Sequence, residues 1–455
     1  MSVKLDTIPY LQMEYADQIP ISPDNKEERE DGDSKNNKKG LSFVTAAFFI
    51  VGEMAGSGVL VLPRAIADAG WAGVFLLIFC CCNALYAGIC LGRCWQILEE
   101  RWEEYRRKNR YPYPAIAFRA GGSKLRYFVS ICLEINLLGV SIVFLLLTAQ
   151  LISNLAAQWG VAFCYWVIIM AVVLWPLMWL GTPEDFWLAA VAAVLCTGLA
   201  CILLIIAIAE HGQVLPFKPT YPSPSVESFF LSFGTIYFSF GGAASFPTFQ
   251  NDMEDKTKFP MAAITGFAIL FLMYFPVAVL GYDIYGSKVT DSIVDSLPNS
   301  GLKTTIIICL ALHTFNAFLI VVNASSQEFE EMFKIPKNFG WKRIACRSAL
   351  LAFIFFIACS VPKFDKVLNL VGGSAVTLTA SVFPCLFYLL LCAQRSPEWP
   401  VRHIPIHEKV YLITIIACGI IGGIIATYSA FDGILKMSSF NPPCYVNITA
   451  AGRFS

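Results

Sequence analysis

Glu53 is the residue in this chain whose chemistry most needs a reason. It stands in Val51-Gly52-Glu53-Met54-Ala55-Gly56-Ser57-Gly58-Val59-Leu60-Val61-Leu62-Pro63, an otherwise apolar stretch that also holds three glycines and a proline. A charge at the centre of a bilayer costs about 2.5–3.5 kcal/mol on insertion scales. A glycine inside a helix costs about 1 kcal/mol relative to alanine. Irregular backbone survives at that depth only where protein covers it or where it lines a wet cavity. A carboxylate beside such a cavity can take up and release a proton.

A second stretch repeats the oddity. Phe238-Ser239-Phe240-Gly241-Gly242-Ala243-Ala244-Ser245-Phe246-Pro247 places glycines, serines and a proline in the middle of another apolar segment. Where a helix breaks, its two ends expose unpaired N–H and C=O groups, which bind an anion and a cation respectively. An amino acid zwitterion carries both kinds of head. Ala55, Gly56, Ser57 and Gly58 are therefore candidates for its carboxylate, and Ser239, Phe240, Gly241 and Gly242 for its amine, with Phe240 closing the pocket. Close helix packing through small residues is the competing explanation of the glycines. Two matched breaks, with Glu53 beside one, favour a binding site.

Two further titratable groups sit in apolar runs. Glu134 begins a stripe with Ser141 and Thr148 on one helix face. It is either a coupling residue or a side chain snorkelling to water or pairing with Arg126. His313, Asn316, Asn323 and Gln327 fall within roughly 80° of one another on a helical wheel. His313 is either a proton-relay group or a satisfied structural histidine.

These residues belong to a polytopic membrane protein. The chain has 455 residues, 56% hydrophobic and only 15% charged, with zero net charge, whereas soluble domains carry about 25% charged residues. Nothing in that balance points to nucleic acid. Eleven segments approach the roughly 20 apolar residues a bilayer requires: 42–67, 71–97, 127–153, 163–180, 187–209, 228–250, 260–284, 303–325, 345–362, 366–392 and 409–432. The expected organisation is a disordered cytosolic tail over 1–40, a transmembrane domain over 41–432 and a short extracytosolic tail over 433–455. With the N-terminus inside, 25 of the 33 Lys and Arg residues fall on the inner side, as the positive-inside rule requires. Most of the 16 cysteines read as small core residues. Cys444 is the one placed to meet an oxidising compartment, with Cys164 as its favoured partner. Tyr10-Leu11-Gln12-Met13 has the form of a tyrosine-based sorting signal.

Two interrupted segments, first and sixth, are what an inverted repeat of five helices each produces, and such a pair marks the substrate site of a secondary transporter. Gly56-Ser57-Gly58-Val59-Leu60-Val61-Leu62-Pro63 resembles the first-helix signature of the amino acid/auxin permease family. Phe240-Gly241-Gly242, Phe246-Pro247 and Gln250-Asn251-Asp252-Met253 are similar to its sixth-helix signature, and Leu370-Val371-Gly372-Gly373 with Phe383-Pro384-Cys385-Leu386 to its tenth. The resemblance implies eleven helices in a leucine-transporter-type fold, with alternating access driven by protons or sodium. Sodium-coupled branches place an asparagine shortly before the Gly-Ser-Gly, and Thr314 or a nearby hydroxyl would be the expected sodium ligand. Here that neighbourhood reads Gly52-Glu53. A carboxylate in place of the amide favours protons.

The sequence thus predicts an all-α secondary transporter of amino acids or similar zwitterions, embedded in lipid and proton-coupled. A sodium symporter is the alternative, as is an amino-acid sensor signalling through residues 1–40. No P-loop, HExxH or GxSxG motif occurs, so neither an enzyme nor a primary pump is expected, and no cofactor or metal is called for. The plasma membrane is the favoured residence, with a lysosomal or other endomembrane as the alternative. Asn447-Ile448-Thr449 is a glycosylation sequon on the outer face, while Asn323-Ala324-Ser325 lies inside a helix. Glycosidase treatment of protein made in cells should lower its mass, and Asn447→Gln should remove that shift. An unchanged mass would contradict the topology.

Overall fold

The computed structural model describes residues 40–106, 111–179, 187–336, 339–435 and 442–449. Residues 1–39 of the expected 1–40 tail, and residues 181–186 between the fourth and fifth expected segments, lie outside the described residues. The elements in chain order are α1 (Phe43–Met54), α2 (Ser57–Ala69), α3 (Ala72–Arg101), α4 (Pro112–Leu155), α5 (Phe163–Trp179), α6 (Trp187–Gly212) and α7 (Val226–Ser239). There follow α8 (Phe246–Asp252), α9 (Phe259–Tyr285), α10 (Gly301–Met332), α11 (Trp341–Ser360), α12 (Phe364–Val371), α13 (Phe383–Ala393) and α14 (Ile406–Leu435). No strand occurs among the described residues; one isolated bridge joins Leu41 to Met253.

Among the described residues, eight helical spans are long and apolar enough to cross a membrane, and the bent pair α1–α2 makes nine. The fourth and sixth expected segments correspond to α5, of 17 residues, and to the broken pair α7–α8. α5 is shorter than the other spans, and the halves of the α7–α8 pair, of 14 and 7 residues, are shorter still.

Local sequence explains where the elements begin. Ser42 caps α1 through its hydroxyl, which accepts from the Thr45 N–H at 3.2 Å. Ser225 and Ser228 form a reciprocal capping box on α7, and Ser300 caps α10, accepting from Lys303 N–H at 3.1 Å. The Leu41 backbone clips α1 to the end of α8, donating to Asp252 O at 2.9 Å and accepting from Glu254 N–H at 3.0 Å.

Two elements differ from the sequence expectation. Tyr111-Pro112-Tyr113-Pro114 falls between the second and third expected segments, where the sequence leaves a loop, but Pro112 starts a helix, as a proline at a first helical position can. That stretch runs to Gly121-Gly122, where α4 kinks; Gly122 has φ +80°, a conformation that favours glycine. The tenth segment was expected to be continuous. It instead passes through π-helical turns at Gly372–Val376 and Leu378–Val382 between α12 and α13.

Buried polar contacts fix the helices around the centre. Arg347 on α11 is 1% exposed. It donates from Nε to Glu330 Oε1 at 2.5 Å and from Nη1 to Met178 O at 2.7 Å, joining α11, α10 and α5. Removing one partner of such a buried pair costs about 3–5 kcal/mol. On the opposite face Cys164 and Cys444 form a disulfide, which ties the C-terminal tail to the start of α5. Cleavage at a protease site engineered between them should therefore leave two fragments joined on a non-reducing gel and separated by reductant. Fragments that separate without reductant would contradict the bond.

Candidate functional site

Both breaks fall at the centre of the molecule. α1 ends at Met54, Ala55 and Gly56 leave the helix, and α2 restarts at Ser57 after a 58° bend. No side chain caps α2, so its first-turn N–H groups are available at the break. α7 ends at Ser239, a 3-10 turn covers Gly242–Ala244, and α8 restarts at Phe246 with Pro247 in its first turn.

A hydrogen bond ties the two breaks together. The Ser245 hydroxyl donates to Glu53 Oε1 at 2.5 Å. Glu53 Oε2 is buried without a hydrogen-bond partner. The Met54 carbonyl, freed by the end of α1, accepts from the Tyr274 hydroxyl on α9.

The glycines are required by close approach. A Cβ on Gly56 would fall on the His313 ring. One on Gly58 would lie 2.6 Å from Tyr274 Cζ and 2.9 Å from Ser239 Cβ. One on Gly242 would lie 2.6 Å from Met54 Cγ. Such distances are far inside van der Waals contact, so the small residues bring the two half-helices together.

Between the breaks lies a cavity of ≈ 40 Å³, lined among others by Glu53, Ser57, Phe238, Gly241, Gly242 and Asn136. A larger cavity of ≈ 230 Å³ adjoins it toward Tyr111 and Gln327, the face predicted to be cytosolic. Glu53 lines both. On the other side, a cavity of ≈ 290 Å³ holds Arg64, Asp68, Asp291, Lys363, Asp365 and Lys366. Arg64 pairs there with Asp68 at 2.9 Å.

The structure brings together Glu53, Ser57, Gly241 and Gly242, with Ala55, Gly56 and Gly58 in the adjoining backbone. Phe240 takes a different place from the one expected. It is fully buried and packs against Phe267 and Tyr274 of α9, with ring centroids 6.1 and 5.7 Å away. Phe238 at the end of α7 lines the cavity instead, together with Phe144 of α4. Ser239 is also turned inward, its hydroxyl donating to Thr235 O at 3.0 Å.

His313 lies against Gly56, as noted, with Nδ1 3.2 Å from Ala193 O and Nε2 buried without a partner. The Thr314 hydroxyl lies 2.8 Å from that of Thr148. Glu134 stands apart from the breaks. It accepts from the Ser325 hydroxyl at 2.6 Å, and its other oxygen, Oε1, is buried without a hydrogen-bond partner; among the described residues no ion pair joins it to Arg126. Sequence reasoning missed Ser245, Tyr274 and Glu328. Each is a polar residue in or beside an apolar helix, and that was the available signal.

An all-helical fold with breaks in its first and sixth spans is a fold of the leucine-transporter type. The chain belongs to the transmembrane amino acid transporter protein family, whose sequence profile matches residues 39–431. Amino acid transporter AVT1D of Arabidopsis thaliana is 24% identical, over 83% of this chain and 68% of its own length. AVT1J of the same plant is 25% identical over 88% and 93%. Among solved structures, a manganese transporter of Eremococcus coleocola superposes with a TM-score of 0.59 at 12% identity, covering 90% of each chain. MhsT in complex with L-phenylalanine superposes with a TM-score of 0.56 at 13% identity, over 86% of this chain and 99% of its own. The relatives are transporters, not enzymes, and this chain is a multi-pass integral membrane protein.

Gly56→Ala should lower thermal stability in detergent by roughly 1–3 kcal/mol through overpacking. His313→Ala in that background should recover part of the loss, because the two sites touch. Strictly additive losses would contradict the contact.

Proposed function

We propose that this protein is a proton-coupled secondary transporter of amino acids that works by alternating access about the two breaks. The observation that carries the reading is Glu53, which lines both the central cavity and the one leading to the inner face. A carboxyl group so placed can change protonation state in step with access, and protonation removes the cost of a buried charge. The substrate carboxylate meets the first-turn N–H groups of α2 at Ser57 and Gly58. Its amine meets carbonyls at the end of α7, around Ser239–Gly241. At ≈ 40 Å³ the central cavity is small for an amino acid, so loading requires the half-helices to separate, as alternating access entails.

Glu53 stands where sodium-coupled members of the resembled family carry an amide, which supports protons over sodium. His313 and Thr314, on the helix facing the first break, serve as further coupling groups in this reading, and Glu134 as another. The domain limits follow the same scheme: a cytosolic tail over 1–40, the transport domain over 41–432 and an outer tail bearing Asn447. We assign the protein to the plasma membrane, with its sequon-bearing tail outside.

In proteoliposomes, amino acid uptake should be greater at about pH 5.5 than at about pH 7.5, across the range where a perturbed carboxyl or histidine changes charge. Glu53→Gln should abolish that acid stimulation. Wild-type uptake that is equal at the two pH values would contradict proton coupling. Sodium-dependent uptake that survives Glu53→Gln would favour the symporter alternative.

A further inference from the structure

A cavity on the flank of the molecule takes no part in the site described above. It measures ≈ 680 Å³ and lies where the end of α10 meets the start of α11, at the end of the molecule read as cytosolic. Phe329, Phe333, Trp341 and Phe353 line it, together with Ala345 and Ala349 of α11. The two alanines are four residues apart and share one helix face. Their small side chains leave a trough beside the rings.

The trough has the depth of one leaflet. Trp341 is 79% exposed and Phe333 63%, and aromatic rings so placed settle at headgroup level. Phe353 lies twelve residues further along α11, about 18 Å deeper at the helical rise. Half of a hydrocarbon core is about 15 Å. The cavity therefore runs from the headgroups through most of one layer of chains.

An apolar surface facing lipid is ordinary, but this one ends in positive charge. Lys342 lines the trough, and Lys334 stands between Phe333 and Ile335, which both line it. Between Glu331 and Asp365 the sequence holds no acidic residue. Glu330 is engaged by Arg343 and Arg347 at 3.2 and 2.5 Å. Lys334, Lys342 and Glu331 are exposed, and among the described residues neither lysine has an ion pair or a side-chain hydrogen bond. Lysines near a membrane snorkel to the headgroups, where each attracts anionic lipid.

We propose that this trough is a binding site for an anionic phospholipid of the inner leaflet, with an acyl chain along the Phe329–Phe353 rings and the headgroup at Lys334 and Lys342. A zwitterionic lipid fits the same trough but brings no net charge to the lysines, so the site selects by headgroup. The turn of α10 that gives Phe329 to the trough gives Gln327 and Glu328 to the ≈ 230 Å³ inner cavity. A lipid held here thus braces a helix that walls that cavity. The site depends on neither transport nor proton coupling, and its test needs neither.

In detergent-purified protein, phosphatidylserine with brominated chains is titrated in parallel with brominated phosphatidylcholine. Bromine quenches a tryptophan it touches, and the Trp341 signal is the difference between wild type and Trp341→Phe. Phosphatidylserine should quench Trp341 at a concentration about tenfold or more lower, the preference expected of two lysines at an anionic surface. Lys334→Ala with Lys342→Ala should bring the two lipids level, as should salt at about 1 M on the unaltered protein. Lys334→Arg with Lys342→Arg should keep the preference, and Ala349→Phe should weaken quenching by both lipids. Equal quenching by the two lipids in wild type would overturn the site. So would a preference that survives neutralised lysines or high salt, or one lost in the arginine pair. A Trp341 that neither lipid quenches would overturn it as well, and a particle of twice the protein mass would then show a second copy seated there.

Discussion

The structure turns on keeping broken backbone inside a membrane. An unpaired peptide group in hydrocarbon costs several kcal/mol, so each break must be covered or must line a cavity. Here the two breaks cover each other. Ser245 at the start of α8 donates to Glu53 at the end of α1, and Tyr274 caps the freed Met54 carbonyl. What remains exposed faces a small cavity shared by both halves. That arrangement costs stability, and the glycine contacts at Gly56, Gly58 and Gly242 make it geometrically feasible.

The rest of the molecule can be read as support for this centre. The bond from Arg347 to Glu330 and the Met178 carbonyl anchors the inner end of α10. The Cys164–Cys444 disulfide anchors the outer end of α5. The kink at Gly121-Gly122 lets the first part of α4 turn beneath the inner cavity, where the Tyr113 hydroxyl donates to Thr379 O at 2.6 Å. Cavities lie on both sides of the centre, the geometry expected of a carrier that exposes one site alternately.

Much of this was legible in the sequence because membrane segments announce themselves by length and apolarity. The paired breaks were legible because glycine, serine and proline have few reasons to cluster at that depth. Residue-level placement was less legible. Phe238 and Phe240 lie on either side of the point where α7 ends, and helical periodicity cannot say which ring faces the cavity once the helix stops. Glu134 gave a polar stripe on its own helix, but its partner lies 191 residues away, at Ser325. No local pattern encodes such a meeting. The helix at Pro112 was hidden because a proline-rich, tyrosine-rich stretch reads as a turn until its burial is known.

The central claim is that Glu53 exchanges a proton in step with amino acid movement. The direct measurement is proton flux itself, followed with a pH-sensitive dye inside sodium-free proteoliposomes while substrate is added outside. The account predicts internal acidification on adding a transported amino acid, and none with Glu53→Gln. Substrate entry without any acidification, or entry only when sodium is supplied, would contradict it.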